Sequence, residues 1–168
     1  PTATADFIAS IGETARQIGQ ERNLYASVMI AQAVLESNSG QSALSQQPYY
    51  NFFGIKGAYN GNSVTMQTWE DDGSGYTYEV DQDFRSYNSL SDSLNDYANL
   101  LSWDLYADTW KSTPTTYLDA TAALTGRYAT DTAYADKLNA LIEQYGLTTY
   151  DDPVVVEEEN QTNSEQTT

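Results

Sequence analysis

Apolar positions along the chain repeat in two ways, and together they predict a helical body interrupted by one β-hairpin. Phe7, Ile11, Ala15 and Ile18 recur at the spacing of one helix face and stop at Gly19. Val28, Ala31, Val34 and Leu35 mark a second face, which ends at Glu36. Ser89 and Asp92 stand at capping-box spacing before Leu94, Tyr97, Leu100 and Leu101, and predict a third helix. Two more are expected over residues 116–124 and 134–145, the last closed by Gly146. Between them, residues 63–70 and 76–80 are rich in Val, Thr, Tyr and Trp and flank Asp71-Asp72-Gly73-Ser74-Gly75, a turn-forming run. The expected fold class is therefore mainly α (α+β), with the hairpin inserted as a lobe. The opening Pro-Thr-Ala-Thr-Ala, residues 1–5, reads as linker. So do residues 151–168, which hold six acids, no Lys or Arg, and an Asn160-Gln161-Thr162 sequon. The folded domain is expected over residues 6–150.

Composition narrows the chemistry. With 168 residues, 40% of them apolar, the chain suits one domain with a continuous core. Cys and His are both absent, which removes thiol nucleophiles, His bases and the usual zinc ligands. Carboxylates are left as the proton handlers. A net charge of −17 opposes phosphate backbones and anionic lipid, so neither nucleic acid nor membrane is an expected partner. Taking the tail's six acids from the 24 leaves 18 against 7 bases, so the domain itself carries about −11. No stretch approaches the roughly 20 apolar residues of a bilayer span.

Glu36 is the first candidate. A carboxylate at a helix C-terminus is opposed by the macrodipole, so helix stability does not explain it. Apolar neighbours would raise its pKa and keep the proton that a general acid needs. A solvated glutamate beside a Ser-Asn-Ser-Gly cap is the plain alternative.

Ala31-Gln32-Ala33-Val34-Leu35-Glu36-Ser37-Asn38-Ser39-Gly40 resembles the catalytic segment of bacterial N-acetylglucosaminidases of the flagellar-muramidase type, glycoside hydrolase family seventy-three. Downstream, Tyr50-Asn51-Phe52-Phe53-Gly54-Ile55-Lys56-Gly57, Thr68-Trp69-Glu70, Phe84-Arg85 with Tyr87, and Tyr128-Ala129-Thr130-Asp131 with Tyr134-Ala135 are similar to that family in the same order. The resemblance spans roughly residues 6–146.

It implies a lysozyme-like domain that cuts the β-1,4 bond between N-acetylglucosamine and N-acetylmuramic acid in peptidoglycan, with no metal or organic cofactor. Glu36 would be the general acid, Glu70 the second carboxylate and Tyr128 the tyrosine beside the acid. Tyr134 is a weaker candidate of the same kind, whose helical spacing to Leu138 and Leu141 also suits core packing. Tyr49 and Tyr50 are expected to line the glycan groove, with Asn51 as a further substrate contact or, like Gly54, a residue that shapes the loop. Without the resemblance, Glu70 reads equally as one charge of a solvated turn. The family also implies a secreted, wall-associated protein with separate wall-binding modules, and a monomer is the default expectation. A lytic transglycosylase and a noncatalytic peptidoglycan-binding module remain open as alternatives.

Overall fold

The computed structural model describes residues 2–112 and 116–154. Its elements are α1 (Ala3–Arg22), α2 (Ala26–Ser37), α3 (Leu90–Leu101), α4 (Tyr117–Leu124) and α5 (Tyr134–Gln144), with an antiparallel pair, β1 (Ser63–Asp71) and β2 (Thr77–Arg85), between α2 and α3. This is the mainly α arrangement with an inserted hairpin that the periodicities predict. Every residue of α2 from Ala26 to Val34 is buried, so it forms the axis of the core. α1, α4, α5 and the 3₁₀ turn Leu147–Asp151 pack around it. The predicted cap of α3 forms, Ser89 Oγ accepting from Asp92 N at 3.1 Å, and at the start of α4 Thr116 Oγ1 accepts from Leu118 N at 3.2 Å.

Both ends of the domain differ from the expected boundaries. Thr2 Oγ1 accepts from Ala5 N at 3.0 Å and caps α1, so residues 3–5 are helix rather than linker. Nor does α1 stop at Gly19. It runs to Arg22 and is capped by the left-handed Asn23. Gly19 is there for space, because a Cβ would lie 2.8 Å from Leu24 O, where the chain turns back towards α2. At the other end, α2 has no side-chain cap of its own, and Asp151 supplies one from 124 residues away by accepting from Ser27 N at 2.9 Å. Asp151 O accepts from Lys111 Nζ at 2.7 Å, and Asp152 O from Arg16 Nη1 at 2.7 Å. The folded unit therefore includes Asp151 and Asp152. Residues 155–168, with the sequon, lie outside the described residues, as does Pro1.

Because Asp151 satisfies an orphan N–H at the start of the central helix, Asp151→Ala is expected to cost about 1–2 kcal/mol. In a domain of this size that lowers Tm by a few degrees. Asp151→Asn keeps an acceptor and should lose less, which thermal denaturation of the two variants will check.

The hairpin is pinned at its base. Asp96 on α3, only 6% exposed, takes both Arg85 Nη1 at 2.8 Å and the Tyr87 hydroxyl at 2.6 Å. Arg85 N also donates to Ile55 O, and Gly57 N to Asp83 O, which stitches the loop of residues 49–57 to β2. Side chains alternate along the strands, so Val64, Met66, Thr68 and Glu70 share the half-buried face of β1. Trp69 points to the other face and is 67% exposed.

Candidate active site

Glu36 stands in the last turn of α2, and the turn that follows is fixed by the residues around it. Ser37 Oγ donates to Ala33 O at 2.6 Å and accepts from Gly40 N at 2.7 Å. Asn38, Ser39 and Gly40 all have positive φ. Gly40 is required twice over, by its φ of +76° and by the Phe7 ring, whose Cδ1 would lie 2.5 Å from an added Cβ. The Glu-Ser-x-x-Gly pattern thus has a local reason: it ends the helix so that the acid points out of the core.

The carboxylate is open to solvent on one side, as an acid that meets a substrate must be, and enclosed by protein on the rest. That enclosure raises its pKa above the ordinary glutamate value, against the opposing pull of the Tyr134 hydroxyl. Tyr134 Oη donates to Glu36 Oε2 at 3.0 Å. Behind it, Gln32 Nε2 donates to Tyr134 Oη at 2.9 Å, and the Tyr97 hydroxyl donates to Gln32 Oε1. Gln32 is fully buried and lies one helical turn before Glu36 on α2.

Tyr128 and Tyr134 both lie beside the acid, and only Tyr134 hydrogen-bonds to it. Tyr128 does not reach the acid by a hydrogen bond, because its hydroxyl donates to Phe53 O at 2.9 Å. Its ring stacks on Tyr134, centroids 6.2 Å apart and 9° from parallel. Tyr134, expected to contact substrate or simply fill the core, is 2% exposed and cannot line a groove. It is nevertheless the tyrosine that touches the carboxylate. Burial raises the pKa of both, so both remain O–H donors at working pH.

Asn51 is likewise not positioned as a substrate contact. It is 1% exposed and spends its amide on the loop: Nδ2 donates to Ile55 O and Arg85 O, each at 2.9 Å, and Oδ1 accepts from Phe53 N and Ile55 N, each at 3.2 Å. That pinning delivers Gly54 to the acid. A Cβ there would sit 3.8 Å from Glu36 Oε1, and φ is +67°. Tyr49 and Tyr50 are half-buried, and Tyr50 packs against the core.

Glu70 lies across the same loop. Its partner is Lys56, Nζ to Oε1 3.8 Å, two residues beyond Gly54. An open cavity of about 300 Å³ is lined by Gly54, Ile55, Lys56, Leu100, Tyr106 and Tyr128, of which Gly54 and Tyr128 also neighbour the acid. The loop therefore presents Gly54 to one carboxylate and Lys56 to the other. Sequence reasoning passed over Gln32 and Tyr97. The signal was present in Gln32, a polar residue inside an apolar run, four positions before the acid on the same helix face. Tyr97 gave none, since it fits its helix's apolar stripe.

Residues 12–147 match the glucosaminidase family, described as mannosyl-glycoprotein endo-beta-N-acetylglucosaminidase. The chain is 48% identical over 156 residues to an autolysin of Enterococcus faecalis, covering 89% of this chain and 21% of that protein. It is also 48% identical over 151 residues to a probable N-acetylmuramidase of Lactococcus lactis, covering 86% of this chain and 34% of the relative. The chain thus spans only about a fifth to a third of these relatives. Among solved structures it is similar to the catalytic domain of the autolysin Auto from Listeria monocytogenes, with a TM-score of 0.83 and 52% identity over 90% of this chain and 89% of that one.

Proposed function

Because the chain belongs to the glucosaminidase family, we propose that it is a peptidoglycan hydrolase, an endo-β-N-acetylglucosaminidase that cleaves the β-1,4 bond between N-acetylglucosamine and N-acetylmuramic acid. Glu36 is the general acid and Glu70 the second carboxylate. The observation that carries this reading is the geometry around Glu36: a carboxyl whose pKa is raised by burial, with Oε2 engaged by Tyr134 and Oε1 beside a residue without a side chain. A glycosidic oxygen needs such an acid as its bond breaks, and a carboxylate on the far side to activate water or stabilise the oxocarbenium-like transition state. The greater length of the relatives supports wall-binding modules elsewhere in the full-length protein, and their autolysin names support action at the wall after secretion.

Purified peptidoglycan, digested and then reduced with borohydride, reports the bond cut. Reduced N-acetylglucosamine ends are the expected product. The lactococcal relative's name gives a second reading, in which reduced N-acetylmuramic acid ends appear instead. Anhydromuramyl ends would make the chain a lytic transglycosylase. Absence of products from folded protein would make it a binding module.

A further inference from the structure

We propose that Gln32 is a positioning residue for the acid: from inside the core it sets the direction of the Tyr134 hydroxyl, and thereby assigns the catalytic proton to Oε1 of Glu36. The inference rests on the glycosidase reading of Glu36 and adds to it a residue and an atom.

Hydrogen count fixes the direction of each bond. Tyr134 Oη has one hydrogen and lies between Gln32 Nε2, 2.9 Å away, and Glu36 Oε2, 3.0 Å away. An amide nitrogen only donates, so Tyr134 must accept from Gln32, and its own hydrogen is left for Glu36. The amide faces this way because the Tyr97 hydroxyl donates to Gln32 Oε1. With the amide reversed, Oε1 would take the Tyr134 hydrogen, and a Glu36 carboxylate would face a bare oxygen lone pair. Gln32 and Tyr97 are both sealed from water, so no solvent molecule competes for these positions.

Two consequences follow for the acid. Oε2 always meets a hydrogen, so the carboxyl proton resides on Oε1. That oxygen faces Gly54, where the missing Cβ leaves room for the leaving oxygen of the substrate. As the proton departs, negative charge develops on the carboxylate, and a donor already aimed at it strengthens without reorganising. The contribution is thus larger in the transition state than in the ground state, and appears in kcat rather than KM.

The titratable groups around Glu36 are tyrosines: Tyr134 from α5, Tyr128 from the segment before it, and Tyr97 from α3 behind Gln32. From the loop, Gly54 approaches, while Lys56 is turned to Glu70. Burial raises all three tyrosines, so they stay O–H donors while Glu36 is the group in the cluster that ionises first.

The test is the pH dependence of kcat and kcat/KM on soluble, peptide-free glycan strands for wild type, Gln32→Leu, Tyr134→Phe and the double variant. Gln32→Leu is expected to lower kcat about tenfold to a hundredfold, as loss of an outer-layer partner does, with KM within about twofold. It should also move the alkaline limb of the kcat/KM profile upward, because the Tyr134 hydroxyl, no longer accepting from the amide, is a weaker and less fixed donor to the ionised acid. Tyr134→Phe should move the limb the same way, and adding Gln32→Leu to it should move the limb no further. Gln32→Glu preserves the volume, accepts from both tyrosines and turns the Tyr134 hydrogen away from the acid. It too should raise the limb, and it carries the test if Gln32→Leu does not fold. A fall in kcat with the limb unmoved, or independent shifts in the double variant, would overturn the proposal. A wild type that leaves the strands intact would instead overturn the glycosidase reading itself.

Discussion

Glu36→Gln is expected to lower the turnover of glycan strands by about a hundredfold to ten-thousandfold, the contribution of a positioned general acid. The substitution preserves the shape of the side chain and an oxygen for the Tyr134 hydroxyl, so the network behind it can stay intact. What it removes is the proton. Stability should not fall with it. Enclosure raises the pKa of Glu36 in the fold above its value in the unfolded chain, so the folded state binds this proton more tightly. Such a carboxyl adds relative stability at low pH and loses it as pH rises through the folded pKa. Gln at position 36 escapes that loss, so at neutral pH its Tm should equal or exceed the wild type's. Activity itself should fall on the alkaline side above the ordinary glutamate range, as the acid ionises. Rates of reducing-end release with parallel thermal melts check both halves. An active variant would remove Glu36 from the chemistry, and an unfolded one would make it structural.

Much of the scaffold was legible because local signals and tertiary demand coincide. The periodic faces of α1 and α2, the Ser89 cap and the Asp-Gly-rich turn each need only nearby residues to act. The misreadings come from contacts made across the chain. Gly19 looks like a helix stop, yet its role is to admit Leu24 O. Asp151 looks like the first charge of a solvated tail, yet it caps a helix 124 residues earlier. The same holds in the site. Position and neighbours marked Glu36, but the choice between Tyr128 and Tyr134 depends on which hydroxyl reaches the acid and which is taken up by Phe53 O. Asn51 has the chemistry of a sugar ligand, and its burial, invisible in sequence, commits it to the loop instead.

Glu70→Gln is expected to reduce turnover by about a hundredfold or more, with little change in Tm. The small stability effect follows from its surroundings. Its side chain and that of Lys56 are 40% and 59% exposed at 3.8 Å, and an exposed pair of this kind contributes about 0–1 kcal/mol. The large kinetic effect follows from its place. Register puts Glu70 opposite Tyr78 on the half-buried strand face, beyond the part of the hairpin that Arg85, Tyr87 and Asp96 fix. A carboxylate needed only to blunt a hairpin edge would do as well on the other face, beside Trp69. Held by a single long contact to Lys56, Glu70 is free to turn toward a bound sugar, where it can activate water or balance the oxocarbenium charge. Gln keeps the size and loses both abilities. Retention of activity within about threefold of wild type would show that one carboxylate suffices. The reaction would then run through the substrate's own acetamido group or muramyl hydroxyl, and the released ends, hydrated or anhydro, would say which.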